Sequence, residues 1–62
     1  MSSVEIPAEE WDLVPATTEA RTKYLQSKGV PIDDDGCYMP NYRGMEGALR
    51  GDKRIWVYHW DD

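Results

Sequence analysis

The run Arg54 to Trp60, Arg-Ile-Trp-Val-Tyr-His-Trp, constrains this chain more than any other stretch. It holds two of the three tryptophans in the sequence, and Ile, Val, Tyr and Trp are the residue types that suit a pleated, half-buried surface. A strand is predicted here. Side chains on a strand alternate, so Ile55, Val57 and His59 point one way while Trp56, Tyr58 and Trp60 point the other. Both faces are largely apolar. A chain of 62 residues has little with which to cover both, so one face is expected to meet another molecule.

Length sets the next limit. The chain makes one domain, residues 1–62, and a chain of this size buries only about 60% of the surface that its unfolded form exposes. Small domains usually lean on disulfides, a metal or a partner chain. Cys37 is the only cysteine, which excludes an internal disulfide. One cysteine and one histidine, His59, fall short of the four ligands of a closed zinc site. Oligomerisation or a host protein is the staple that remains.

The formal charge is -5, which disfavours general nucleic-acid binding because phosphate contacts need concentrated Lys and Arg. The acidity is N-terminal. Up to Asp35 the acids Glu5, Glu9, Glu10, Asp12, Glu19 and Asp33 to Asp35 far outweigh Arg21, Lys23 and Lys28. Beyond it, Glu46, Asp52, Asp61 and Asp62 balance Arg43, Arg50, Lys53 and Arg54. No apolar run approaches the ~20 residues of a membrane-spanning helix, and the first ten residues are acidic where a signal peptide is basic and then apolar. A cytoplasmic protein with a reduced thiol is expected.

In chain order, Met1 to Ser3 are expected to fray, and Val4 to Pro7 is too short and interrupted to assign. Pro7 followed by Ala8, Glu9 and Glu10 predicts a short helix, since proline suits the first helical position and acids favour the positive end of the dipole. Trp11 reads as a core residue. Thr17 to Lys28 predicts an amphipathic helix, with Thr17 or Thr18 as N-cap, Glu19 in the first turn and Gly29 at C′. Its apolar face is thin, so it has to lie on a sheet. Val30-Pro31-Ile32 reads as an extended arm, Asp33 to Gly36 as a turn, and Cys37-Tyr38-Met39 as a short returning strand, together a hairpin. In Tyr42 to Arg50, Met45, Ala48 and Leu49 sit at helical spacing although Gly44 and Gly47 each cost about 1 kcal/mol in a helix. A short helix is predicted there, followed by a turn at Gly51-Asp52-Lys53. The fold class expected is α+β: a small antiparallel sheet of two to four strands ending with Arg54 to Trp60, with the amphipathic helix Thr17 to Lys28 across one face; if that is the face of Ile55 and Val57, then Trp56, Tyr58 and Trp60 lie on the other as a contact surface.

Chemistry-bearing motifs are sparse. Asp33 to Asp35 before Gly36 fails the calcium-loop spacing, which would put the first ligand on Pro31 and the bidentate acid on Tyr42. Three acids in a turn read as a solvated loop tip. Cys37 with His59 is the one candidate nucleophile pair, but neighbouring aspartates oppose a thiolate. Cys37 reads instead as a small buried hydrophobe, and His59 as a satisfied residue at the sheet end. Arg50-Gly51-Asp52 resembles an integrin-ligand tripeptide, and in a disulfide-free chain it reads as a β-turn. No catalytic residue, metal or cofactor is expected, and the chain reads as a non-enzyme.

What remains is an aromatic and basic set: Trp56, Tyr58, Trp60, Tyr42, Arg54 and Arg50, with Tyr38, Arg43 and Lys53 nearby in sequence. Trp, Tyr and Arg are enriched in protein-binding hot spots, and interleaved rings and bases also suit single-stranded nucleic acid. Net charge favours a protein partner or a second copy of the chain. The same rings could instead form the core, because the sequence has no phenylalanine. Size and acidity fit a protein-binding accessory or inhibitor of phage or mobile-element type that occludes or recruits a larger protein. The alternative is a small nucleic-acid-binding regulator using the C-terminal bases and rings.

Overall fold

The computed structural model describes residues 1–62 and has the α+β fold expected. In chain order the elements are β1 (Ser2–Pro7), α1 (Ala8–Trp11), α2 (Thr18–Ser27), β2 (Tyr42–Arg50) and β3 (Lys53–Trp60). The strands form one antiparallel sheet in the order β1-β3-β2, so the aromatic strand is central and paired on both sides.

β2 and β3 make a hairpin in which Arg50 faces Lys53 across Gly51-Asp52. Gly51 has φ +67° and no non-glycine residue has positive φ. Glycine at the first central position is the type II′ arrangement, whose twist matches that of the flanking strands. The helix expected over Tyr42 to Arg50 is thus a strand. Its glycines explain the change. Gly44, at φ +141°, follows the extra residue Arg43 at a bulge between Tyr42↔Trp60 and Gly44↔His59. Gly47 lies under the Trp56 ring, where an added Cβ would come within 3.3 Å. Pairing with β3 uses both glycines, whereas a helix would be weakened by them.

β1 departs from expectation as well. Ser2 and Ser3, expected to fray, pair with Trp60 and His59. The strand continues through Val4 and Ile6, whose side chains turn inward while Glu5 and Pro7 do not. Pro7 then opens α1, as its neighbours predicted.

α2 follows the sequence closely. The Thr17 hydroxyl accepts from the Ala20 N–H at 3.2 Å, and Lys23 pairs with Glu19 one turn back at 3.2 Å. At the other end Gly29, at φ +95°, donates to the Gln26 carbonyl and Val30 donates to that of Leu25. This is the Schellman pattern, in which the residue after the glycine packs against the one three before the cap. Val30 and Leu25 do so inside the core. α1 is fastened to α2 through Glu10, which accepts from the Tyr24 hydroxyl and pairs with Lys28 at 2.9 Å. Those two donors hold the Glu10 carboxyl below the usual range, Tyr24 more than Lys28.

The core is Ile6, Leu25, Val30 and Tyr58, with Val4, Trp11, Tyr24, Ile32, Tyr42, Trp56 and Trp60 packed around it. The helix therefore covers the aromatic face of β3, and the expectation that it covers Ile55 and Val57 is corrected. Volume gives the reason. Without phenylalanine, the Tyr and Trp rings supply the bulk around the aliphatic centre of Ile6, Leu25 and Val30. Ile55 and Val57 are buried too, but on the open face, which α2 does not reach and which α1 borders at its turn end, where Glu9 pairs with Lys53. There Arg50 on β2 pairs with Glu5 on β1, spanning β3. Its aliphatic stem and the ion pair lie across the central strand, a use of arginine as a cover for apolar surface.

In the connection from α2 to β2, the expected hairpin is reduced to one bridge, Ile32↔Tyr38. The Asp33 carboxylate accepts from the N–H groups of Asp35 and Cys37 and shapes the turn. Cys37, expected to be buried, is exposed. With only a bridge in place of a two-stranded hairpin, no second layer closes over it.

Candidate functional site

The six residues proposed for partner binding do not share one surface. Tyr58 is 4% exposed and belongs to the core. Its burial pushes the phenol up to about 12, with Tyr38 and Tyr42 adding to the shift. Trp56 and Trp60 are half-buried against the same core. Tyr42 is half-buried in a stack on Tyr38, centroids 3.9 Å apart, and its phenol is also raised, mainly by burial. Arg50 lies on the open face, bound to Glu5. Arg54 alone is exposed without a carboxylate partner, at the turn end of β3 opposite Leu49.

The structure assembles a different group. On β2, Met45, Gly47 and Leu49 alternate onto the helix side of the sheet, opposite Tyr58, Trp56 and Arg54. Tyr38 covers the start of β2 through its stack on Tyr42, but nothing covers the rest. Met45 is 48% exposed and Leu49 is 70% exposed. The Trp56 ring crosses Gly47 and continues the apolar surface to the edge of the sheet. A shallow hollow of about 310 Å³ lies at this point, lined by Gly47, Ala48, Leu49, Arg54, Ile55 and Trp56. We call this the β2 flank. Met45 and Leu49 are not legible as a surface patch in the sequence, where the same stretch also fits a helix. Their spacing of four puts them on one face of a helix or of a strand alike, so the spacing does not reveal the flank.

The other sequence candidates are kept apart or occupied. His59 stands on the open face, with Nε2 3.0 Å from Glu46 Oε1. Cys37 belongs to the connection packed on the helix side, where Gly36 lies against Thr18 and Thr22. The sheet separates the two, so they form no nucleophile–base pair. Asp34 accepts from Gln26 at 3.3 Å, and no group of three or more His, Cys, Asp or Glu side chains is arranged to hold a metal ion. Among the C-terminal bases, Arg43 pairs with Asp61, Arg50 with Glu5 and Lys53 with Glu9. They do not form an uncompensated basic stripe. Arg21 sits over the Trp11 ring at 5.2 Å on the far side of the core.

Compared with protein-family models, curated proteins and solved structures, the chain matches none. No helix is long and apolar enough to cross a membrane.

Proposed function

We propose that this chain is a small non-enzymatic protein-binding module whose β2 flank is its contact surface, for another protein or for a second copy of the chain. The observation that carries the reading is the exposure of Leu49 and Met45 beside the Trp56 ring, in a chain whose core has few apolar residues to spare. An apolar patch left outside a small core normally marks an interaction site. Met, Trp and Arg are also the residue types enriched at interface centres. Arg54, free of any ion pair within the chain, supplies a directional contact at the rim. The pairing of Arg43, Arg50 and Lys53 with carboxylates favours a protein over nucleic acid, because phosphate binding needs bases that are free to release counterions.

The test is capture from lysate with immobilised chain, comparing wild type with Leu49→Lys and Met45→Lys. Both variants should fold, since neither side chain is buried. Loss of the captured species in both, with unchanged circular dichroism, is the expected result. Undiminished capture by both variants would refute a binding role for the β2 flank.

A further inference from the structure

β2 has one neighbour in the sheet, and its other edge is bare. In a two-residue hairpin the residues flanking the turn exchange both backbone hydrogen bonds, and such pairs then alternate with non-bonded ones. Arg50 faces Lys53 across the turn, Ala48 faces Ile55 and Glu46 faces Val57. These three residues of β2 thus direct their N–H and C=O groups to β3. Met45, Gly47 and Leu49 direct theirs outward, and they are the residues that carry the β2 flank. None of the three is charged and none is proline, and the bulge at Arg43 lies before them, so from Met45 to Leu49 the outward positions set no barrier to strand addition. On β1 the outward positions are Ser3, Glu5 and Pro7, a charge and a residue without an N–H.

Resting on the reading of the β2 flank as a protein-binding surface, we infer that its partner is a second copy of this chain. The two copies pair antiparallel through β2, with a two-fold axis at Gly47, and make a continuous six-stranded sheet. Register follows from the sequence. Outward groups have to meet outward groups, so the axis passes through a residue. At Glu46 it would set two like charges directly opposite each other, which is destabilising. At Ala48 it would leave Met45 facing the partner's turn and its backbone groups unpaired. At Gly47 all the outward groups of both strands pair. Met45 then lies opposite Leu49 of the second copy, twice, on the helix side. On the open face Glu46 lies opposite Ala48 of the second copy, so no two like charges stand directly opposite each other, and each Arg50 keeps its Glu5 partner. Gly47 meets Gly47 at the axis, and the Trp56 ring that crosses each glycine comes to flank the axis. The pairing is isologous, as closed two-fold dimers require, and it covers the two most exposed apolar residues of the sheet.

The decisive experiment is sedimentation equilibrium of the full chain, prepared by synthesis with and without N-methylation of the Gly47 amide. That N–H makes no bond within the chain, so the fold should survive, checked by circular dichroism. Wild type should dimerise with concentration, and N-methylation should weaken dimerisation by at least about tenfold, the loss expected when paired backbone bonds at the axis are blocked. Register is read by oxidising a mixture of Glu46→Cys and Ala48→Cys chains, each also carrying Cys37→Ser. The mixed disulfide should form in preference to either symmetric one. Wild type that stays monomeric at millimolar concentration, or a dimer indifferent to N-methylation, overturns the inference. Symmetric Ala48→Cys dimers forming first would overturn the register. A monomeric wild type whose capture from lysate is nevertheless lost with Leu49→Lys refutes the second copy while leaving the binding reading intact.

Discussion

The two edges of this sheet share one central strand and differ in almost everything else. β1 runs directly into α1, and α2 lays Leu25 beside it, so Ile6 is 0% exposed. β2 is connected to α2 by a long segment that touches only its first residues, and from Met45 to Arg50 every residue is exposed. The outward positions of β1 carry Glu5 and Pro7, and those of β2 carry Met45, Gly47 and Leu49. Stability is concentrated at one edge. Recognition has room at the other, where apolar side chains can be kept without serving the core.

The largest expected effect tests that division directly. Ile6→Ala should lose about 2–5 kcal/mol, the range for truncating a buried aliphatic side chain, which is a large part of what a domain this small has. Leu49→Ala, measured in urea at concentrations where the chain is monomeric, should stay within about 0.5 kcal/mol of wild type. A comparable loss at Leu49 would show that the β2 flank belongs to the core, and the contrast between the edges would collapse.

Alkali probes the covered side by another route. Burial raises the phenol of Tyr58 to about 12 and raises those of Tyr24 and Tyr42 as well, while an unfolded tyrosine titrates near 10. A folded value above the unfolded one means that the folded chain holds its protons longer. The associated stability is complete below pH 10 and is lost as pH rises through the folded values. Tyrosinate absorbance should therefore rise late and together with unfolding. Tyr58→Phe should remove part of the pH dependence. A smooth early titration of Tyr24, Tyr42 and Tyr58 in the folded chain would mean that the ring cluster is open to water.

These contrasts show what could be read from the sequence. α2 was legible because its signals are local: a threonine cap, an i,i+4 ion pair and a glycine in place for the Schellman turn. β3 was legible because its composition admits little else. β2 was not, since the same apolar residues fit a helical stripe or one strand face, and what decides between them is Trp56 lying over Gly47. β1 is hard to read although Val4 and Ile6 alternate with Glu5 and Pro7, because a strand pairing with the far end of the chain leaves no local mark. The face of β3 that meets the helix was misassigned for a related reason. Aliphatic Ile55 and Val57 look more like core than a tryptophan pair does, and the Arg50–Glu5 cover that lets them sit on an open face joins residues distant in sequence. Of the six proposed contact residues, only Arg54 remained free. The candidate site was largely invisible because it depends on which half of the sheet the helix fails to reach.

The Arg50–Glu5 cover has a smaller expected effect and ties the two edges together. Exposed ion pairs contribute about 0–1 kcal/mol, so Arg50→Ala should cost no more than about 1 kcal/mol. If the stem matters more than the charge, Arg50→Met should recover most of that loss, since it keeps apolar length over Ile55 and Val57. Equal losses in the two variants would assign the effect to the ion pair instead.

The finest test changes no side chain. Amide hydrogen exchange of the monomer should alternate along β2, with Glu46 and Ala48 protected by β3 and Met45, Gly47 and Leu49 fast, because only the first set has intrachain acceptors. On β1 the same alternation should leave Ser3 and Glu5 fast and Val4 and Ile6 slow. The two edges would then look alike in exchange although they differ in cover, so backbone pairing and side-chain burial can be separated. Raising the concentration should break that likeness. If β2 joins a second copy, Met45, Gly47 and Leu49 become protected together while Ser3 and Glu5 stay fast. Protection that grows at β1 and not at β2 would place the open edge on the wrong side of the sheet.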